Sequence, residues 1–125
     1  MTHQRTGSQP RALAHAVHAY ATHIDDPSVL AGALRHTAMR HCSVDDRVEI
    51  AVAVLFRAAG ITEAQLPAAL PWDIPVSDIA SLVHAERAMT SRAVGRMVSS
   101  GLLERSGRTF VLKAVPPAAR LWWDA

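Results

Sequence analysis

Residues 44–59, VDDRVEIAVAVLFRAA, set the strongest constraint on how this chain can fold. Val44, Val48, Ile50, Ala51, Val52, Val54, Leu55 and Phe56 place apolar side chains on nearly every side of one helix. Such a helix has to run through the interior, with other elements packed around it. Ser43-Val44-Asp45-Asp46 has the capping-box form S-x-x-D/E and marks where the helix begins. Asp45 and Asp46 also suit the positive end of the helix dipole. Gly60 ends it.

The flanking pattern is mainly helical. Residues 1–9 are polar and read as a disordered tail. From Pro10 to about Ile24, Leu13, Val17, Tyr20, Ala21 and Ile24 recur at three- and four-residue steps. Asp25-Asp26-Pro27 breaks that helix and starts another, running to about Cys42. Residues 61–73 read as a short helix plus loop, and Ile74-Pro75-Val76 as one short strand. Ser77 to Val83 forms a short helix with Ile79, Leu82 and Val83 inward. A tight turn at His84-Ala85-Glu86 leads to a helix over about 87–100, with Thr90, Ala93, Val94 and Met97 inward and Gly101 as its stop. Leu102–Arg105 and Thr109–Lys113 make a hairpin around Ser106-Gly107-Arg108. The tail AARLWWDA is apolar enough to dock, with Trp122 and Trp123 covering the core or a dimer seam rather than stacking bases.

The expected organisation is a tail at 1–9, N-terminal helices at 10–42 serving dimerisation, and one unit at 43–125. With 125 residues, half of them hydrophobic, the chain has enough material for one real core. No apolar run reaches the roughly 18 residues a membrane span needs. The N-terminus lacks the apolar region of a signal peptide. The lone Cys42 excludes an internal disulfide and any CxxC site. These features fit a cytoplasmic protein.

No catalytic motif stands out. There is no glycine-rich phosphate loop, no nucleophile motif and no pair of carboxylates in an apolar setting. The expectation is therefore a protein without enzyme activity and without a cofactor. Seven histidines invite a metal reading, but neither His15 and His18 nor His36, His41 and Cys42 match a known ligand spacing, so no metal is expected.

Charge points elsewhere. The net charge is +2, with the first 74 residues at −1 and the remainder at +3. The basic excess falls on the last helix and hairpin, which suits an anionic partner. Arg87, Ala88, Ser91, Arg92 and Gly95 share the helix's outward face, with Arg96 beside it. Small residues permit close approach, and guanidiniums bind guanine edges or clamp phosphate. Arg105 and Arg108 add charge at the hairpin tip.

Two helices joined by a short turn and followed by a hairpin make a winged helix-turn-helix. Residues 74–112 resemble the DNA-binding domain of the cyclic-AMP receptor (Crp/Fnr) family of bacterial transcription regulators. The likeness rests on Thr90-Ser91-Arg92, on Gly101-Leu102-Leu103-Glu104-Arg105, and on Gly107-Arg108-Thr109-Phe110-Val111-Leu112. Arg47 matches an arginine at the start of the family's entering helix. Three positions depart from the pattern: Ala88 where many members carry Glu, His84 where Gly is usual, and Glu86 where a Ser caps the helix. The family's effector-binding β-roll has no counterpart in these residues, so cyclic-nucleotide regulation is not implied.

The resemblance implies a mainly α winged-helix protein that binds double-stranded DNA and regulates transcription. Arg87, Ala88, Ser91 and Arg92 would contact bases, and Arg96, Arg105, Ser106 and Arg108 the backbone. A homodimer built on residues 10–42, nucleoid association, and contact with RNA polymerase or another protein are the matching expectations. The alternative is a winged-helix protein–protein interaction module that does not bind DNA.

Overall fold

The computed structural model describes residues 43–71, 73–107, 109–120 and 123. The tail and N-terminal helices expected at 1–42, with the proposed dimer face, lie outside the described residues.

Helix α1 (Val44–Ala58) forms as its sequence demands. The Ser43 hydroxyl accepts the Asp46 backbone N–H at 3.3 Å. Val48, Ile50, Val52, Val54, Leu55 and Phe56 are all buried, so α1 is the central member of the core. Around it pack α2 (Val76–Val83), α3 (Arg87–Ser99) and a C-terminal 3-10 turn (Pro117–Ala119). Trp123 is buried, with the Arg57 guanidinium 5.7 Å from its ring centroid. The tail therefore docks on α1 as expected. Trp122 lies outside the described residues.

The strands form one antiparallel sheet in the order β1-β3-β2: β1 (Ala68–Ala69), β2 (Leu103–Ser106) and β3 (Thr109–Leu112). Leu103 lies opposite Leu112, and Ser106 opposite Thr109. Phe110 and Leu112 are buried, while Thr109 and Val111 are half-buried, the two-residue period of a strand with one face on the core.

Two expectations need correcting. Ile74-Pro75-Val76 is not a strand. Pro75 has no N–H to give a ladder, and it stands instead at the N-cap of α2, where its carbonyl accepts the Asp78 N–H at 3.0 Å. The extra strand is Ala68–Ala69, within the stretch expected to be short helix plus loop; that stretch also holds a 3-10 turn at Glu63–Gln65. Two alanines carry no strand signal of their own and pair only because β3 offers an edge.

The α2–α3 turn forms around His84, the residue that stands in place of the usual glycine. His84 adopts a left-handed conformation, φ 57° and ψ 50°. The Ala85 N–H then closes on the Ala80 carbonyl at 3.1 Å. At the far end of α3, Gly101 takes φ 83°. Its N–H bonds the Val98 carbonyl at 3.1 Å and the Leu102 N–H bonds the Met97 carbonyl at 3.0 Å, the double closure of a Schellman motif. That closure turns the chain straight from α3 into β2. No described helix is long and apolar enough to cross a membrane.

Candidate functional site: a cationic cleft beside α3

Packing decides what α3 presents to solvent. Thr90, Ala93, Val94 and Met97 are buried. Arg87, Ala88, Ser91, Arg92, Gly95 and Arg96 are thereby turned outward. Thr90 Oγ1 donates to the Glu86 carbonyl at 2.9 Å and pins the first turn. The Glu86 side chain itself makes no cap.

Three of the expected site residues converge. Arg87 and Ser91 from α3 and Arg105 from β2 line a cleft of about 450 Å³ together with Asp73, Ile74, Pro75 and Val76. The Arg105 guanidinium lies 5.2 Å from the Phe110 ring centroid, so the buried aromatic supports it from below. Neither Arg87 nor Arg105 forms an ion pair with a described carboxylate. Asp73 shares their cleft without closing on either. Its Oδ1 accepts the Thr109 hydroxyl at 3.4 Å.

The other expected residues are placed differently. Ala88 and Arg92 are exposed on the same helix but do not line the cleft, and Ser106 is exposed at the end of β2. Arg108 lies outside the described residues. Arg96 turns toward α1, where its Nε and Nη2 meet the two Asp45 oxygens at 2.7 and 2.6 Å. This pairing holds the Asp45 carboxyl below the usual aspartate range and pushes the Arg96 guanidinium up. Asp73 is the residue that reading the sequence missed. It falls just ahead of the basic stretch, where it reads as part of a loop.

Among the described residues, no group of three or more His, Cys, Asp or Glu side chains is placed to hold a metal ion.

No protein-family model matches the chain. The curated relatives it resembles are flavohemoproteins. That of Bordetella pertussis is 39% identical over 101 residues, covering 75% of this chain and 25% of the relative. That of Chromobacterium violaceum is 53% identical over 47 residues, covering 38% of this chain and 12% of the relative. That of Rhizobium meliloti is 45% identical over 49 residues, covering 39% and 12%. The chain thus matches about a quarter of the length of the longest-matched relative. Three-quarters of a 125-residue chain, wherever the stretch begins, takes in α1 and α2.

These relatives overturn the functional expectation. Their name denotes flavin- and haem-bearing enzymes, not DNA-binding regulators. The transcription regulator that binds double-stranded DNA and has no enzyme activity is therefore corrected, and so is its alternative as a protein-interaction module. The homodimer and RNA polymerase contact expected with that regulator are corrected too. The physical reason is that spaced arginines report phosphate chemistry and not its carrier. A helix–turn–helix with a hairpin is an architecture, and architecture alone does not assign function.

Proposed function

We propose that this chain is a piece of a flavohemoprotein-type redox protein, and that its described part binds the phosphate of a flavin or nicotinamide nucleotide in the cleft of Arg87, Ser91 and Arg105. The convergence on one concave site of a hydroxyl and two guanidiniums with no ion-pair partner among the described residues carries this reading. The cleft volume falls within the roughly 300–1,000 Å³ usual for small-ligand sites. Guanidinium forks match phosphate oxygens in geometry as well as charge. Arg92, one position beyond Ser91, would enlarge the same positive field, and the Ser106 hydroxyl would offer a further donor. Ala88 would keep the approach open. In this reading residues 43–125 act as one unit with winged-helix architecture, supported by the α2–turn–α3–hairpin order. A cytoplasmic setting suits it.

The two cofactors in the relatives' name fit unequally. Haem needs an axial ligand such as His, Cys, Met or Tyr beside an apolar pocket. Of the described candidates, His84 is exposed in the α2–α3 turn, Met89 is exposed on α3 with no apolar pocket around it, and Met97 is packed in the core. The described residues therefore do not fit haem, and no step is assigned through it. The other six histidines and Cys42 belong to residues 1–42. A flavin nucleotide fits at its phosphate end. When bound, the flavin supplies the redox chemistry; Arg87, Ser91 and Arg105 hold and orient its phosphate.

Titration of the full chain with flavin mononucleotide, followed by flavin fluorescence, tests this. The Arg87→Ala and Arg105→Ala variants should each weaken binding by about tenfold or more, the scale of a charged hydrogen bond. Unchanged affinity in the double variant would overturn the proposal. So would tighter binding of mixed-sequence duplex DNA than of flavin mononucleotide at the same salt.

A further inference from the structure

The cleft holds charges of both signs and leaves them apart. Arg87, Arg105 and Asp73 all line it. Two other exposed arginines do close on carboxylates, Arg96 on Asp45 and Arg120 on Glu63. Here the arginines do not close on Asp73. Asp73 is instead tethered through Oδ1 to the Thr109 hydroxyl on β3, which leaves Oδ2 for another donor. A carboxylate in a phosphate site is costly unless the ligand brings a hydroxyl for it to accept from, because it repels the anion that the arginines attract.

We infer that the cleft reads a polyol phosphate: the phosphate at Arg87, Ser91 and Arg105, and a vicinal sugar or ribityl hydroxyl at Asp73. This deepens the phosphate-binding reading and rests on it. The arrangement joins two recognition chemistries in one site. Guanidiniums donate to an anion that offers no donor, whereas an ionised carboxylate accepts only from a donor. A ligand with phosphate alone satisfies the two guanidiniums and is repelled by the carboxylate. A ligand with hydroxyls alone leaves two cations unused. A phosphorylated sugar satisfies both. The same chemistry occurs in a free sugar phosphate and in the ribityl phosphate of a flavin mononucleotide. Acidic side chains elsewhere hydrogen-bond ribose hydroxyls beside phosphate sites on the same physical grounds.

Calorimetric titration of the full chain with inorganic phosphate, ribose 5-phosphate, ribose and flavin mononucleotide tests the inference. Ribose 5-phosphate should bind at least about tenfold more tightly than inorganic phosphate, the value of one added hydrogen bond to a charged acceptor. Asp73→Ala should remove that preference while binding inorganic phosphate as well as or better than the wild type, because a repulsive charge has gone. A variant that merely unfolded the cleft would lose both ligands. Asp73→Asn, which keeps one acceptor, should retain part of the preference. Flavin mononucleotide binding more tightly than ribose 5-phosphate names the flavin as source; equal binding names the sugar phosphate alone, and either supports the inference. Phosphate binding with no preference for ribose 5-phosphate, or a preference that survives Asp73→Ala, overturns it and leaves the anion site standing. If none of the phosphates binds the wild type, both the anion site and this inference fall.

Discussion

Arg96 and Asp45 join the last turn of α3 to the first turn of α1 through two parallel hydrogen bonds of 2.7 and 2.6 Å. The pair removes Arg96 from the pool of cations open to a ligand. Arg96→Gln should therefore leave affinity for phosphate-bearing ligands within about twofold of wild type, on the scale of a weak surface charge effect. Arg87→Ala should not. Both partners are substantially exposed, so the structural contribution is small and salt-sensitive. The Arg96 guanidinium lowers the Asp45 pKa in the fold. Such a group stabilises the fold above its unfolded pKa and loses that contribution as pH falls through the folded value. Thermal melts should show Asp45→Asn, Arg96→Gln and their combination lowering Tm by similar small amounts at neutral pH. The differences should vanish in acid below the aspartate range and in high salt.

His84 occupies a backbone conformation that glycine adopts freely, φ 57° and ψ 50°. A side chain there costs about 1–2 kcal/mol, partly offset by the greater entropy that glycine loses on folding. His84→Gly should be neutral or stabilising by up to about 1 kcal/mol in urea unfolding. His84→Val should destabilise by about 1–2 kcal/mol, because branching at Cβ makes this conformation harder still. Equal stability of the two variants would show that the turn does not depend on this backbone geometry.

Much of the described fold is readable from the residues alone, because burial at helical spacing is a local signal. The apolar wrap of α1, the inward set Thr90, Ala93, Val94 and Met97, and the alternation at Phe110 and Leu112 are repeating patterns with one structural solution. Ala68–Ala69 was not readable, because its pairing depends on a partner strand more than 40 residues away. The site divides the same way. The outward face of α3 follows from its inward one, but which of its arginines stay available does not. Asp45 removes Arg96 from across 51 positions of sequence, and Asp73 enters the cleft from a loop whose path no local pattern describes. The clustered arginines favour an anion as the proposed ligand. The macromolecule or cofactor that carries the anion is not legible, since a phosphate offers the same oxygens in each.

Glu49 caps the C-terminal turn. Its Oε1 accepts the Ala118 N–H at 3.2 Å from a half-buried position on α1. Burial raises its pKa, and the nearby Asp46 and Asp45 carboxylates add to that, against the opposing Ala118 hydrogen bond. A carboxyl whose folded pKa lies above the unfolded one favours the fold most below the unfolded value, and that advantage is lost as pH rises through the folded one. Glu49→Gln keeps an acceptor and removes the titration. It should match or exceed wild-type stability at neutral pH and flatten the pH dependence just above the ordinary glutamate range. Glu49→Ala leaves the Ala118 N–H without this partner and should cost about 1 kcal/mol. Tryptophan fluorescence in a Trp72→Phe, Trp122→Phe background would report the loosening, since Trp123 is buried on the same C-terminal segment.

Phe110 belongs to the core and carries a cleft residue over its ring. It is buried on β3, and the Arg105 guanidinium lies 5.2 Å from its centroid. Phe110→Ala should cost about 3–5 kcal/mol, a large part of the roughly 5–15 kcal/mol that holds a domain folded, so that variant tests the fold and not the site. Phe110→Leu separates the two roles. It keeps most of the apolar volume and should cost less than about 1.5 kcal/mol. It also removes the aromatic face under Arg105, an interaction of about 0.5–1 kcal/mol at an exposed site. If that face aims the guanidinium into the cleft, the folded Phe110→Leu protein should bind phosphate-bearing ligands about two- to fivefold more weakly. Arg105→Ala should make the leucine substitution irrelevant to binding, because the ring acts only through that arginine. Additive losses in the double variant would instead mean that Phe110 shapes the cleft directly, through the position of β3.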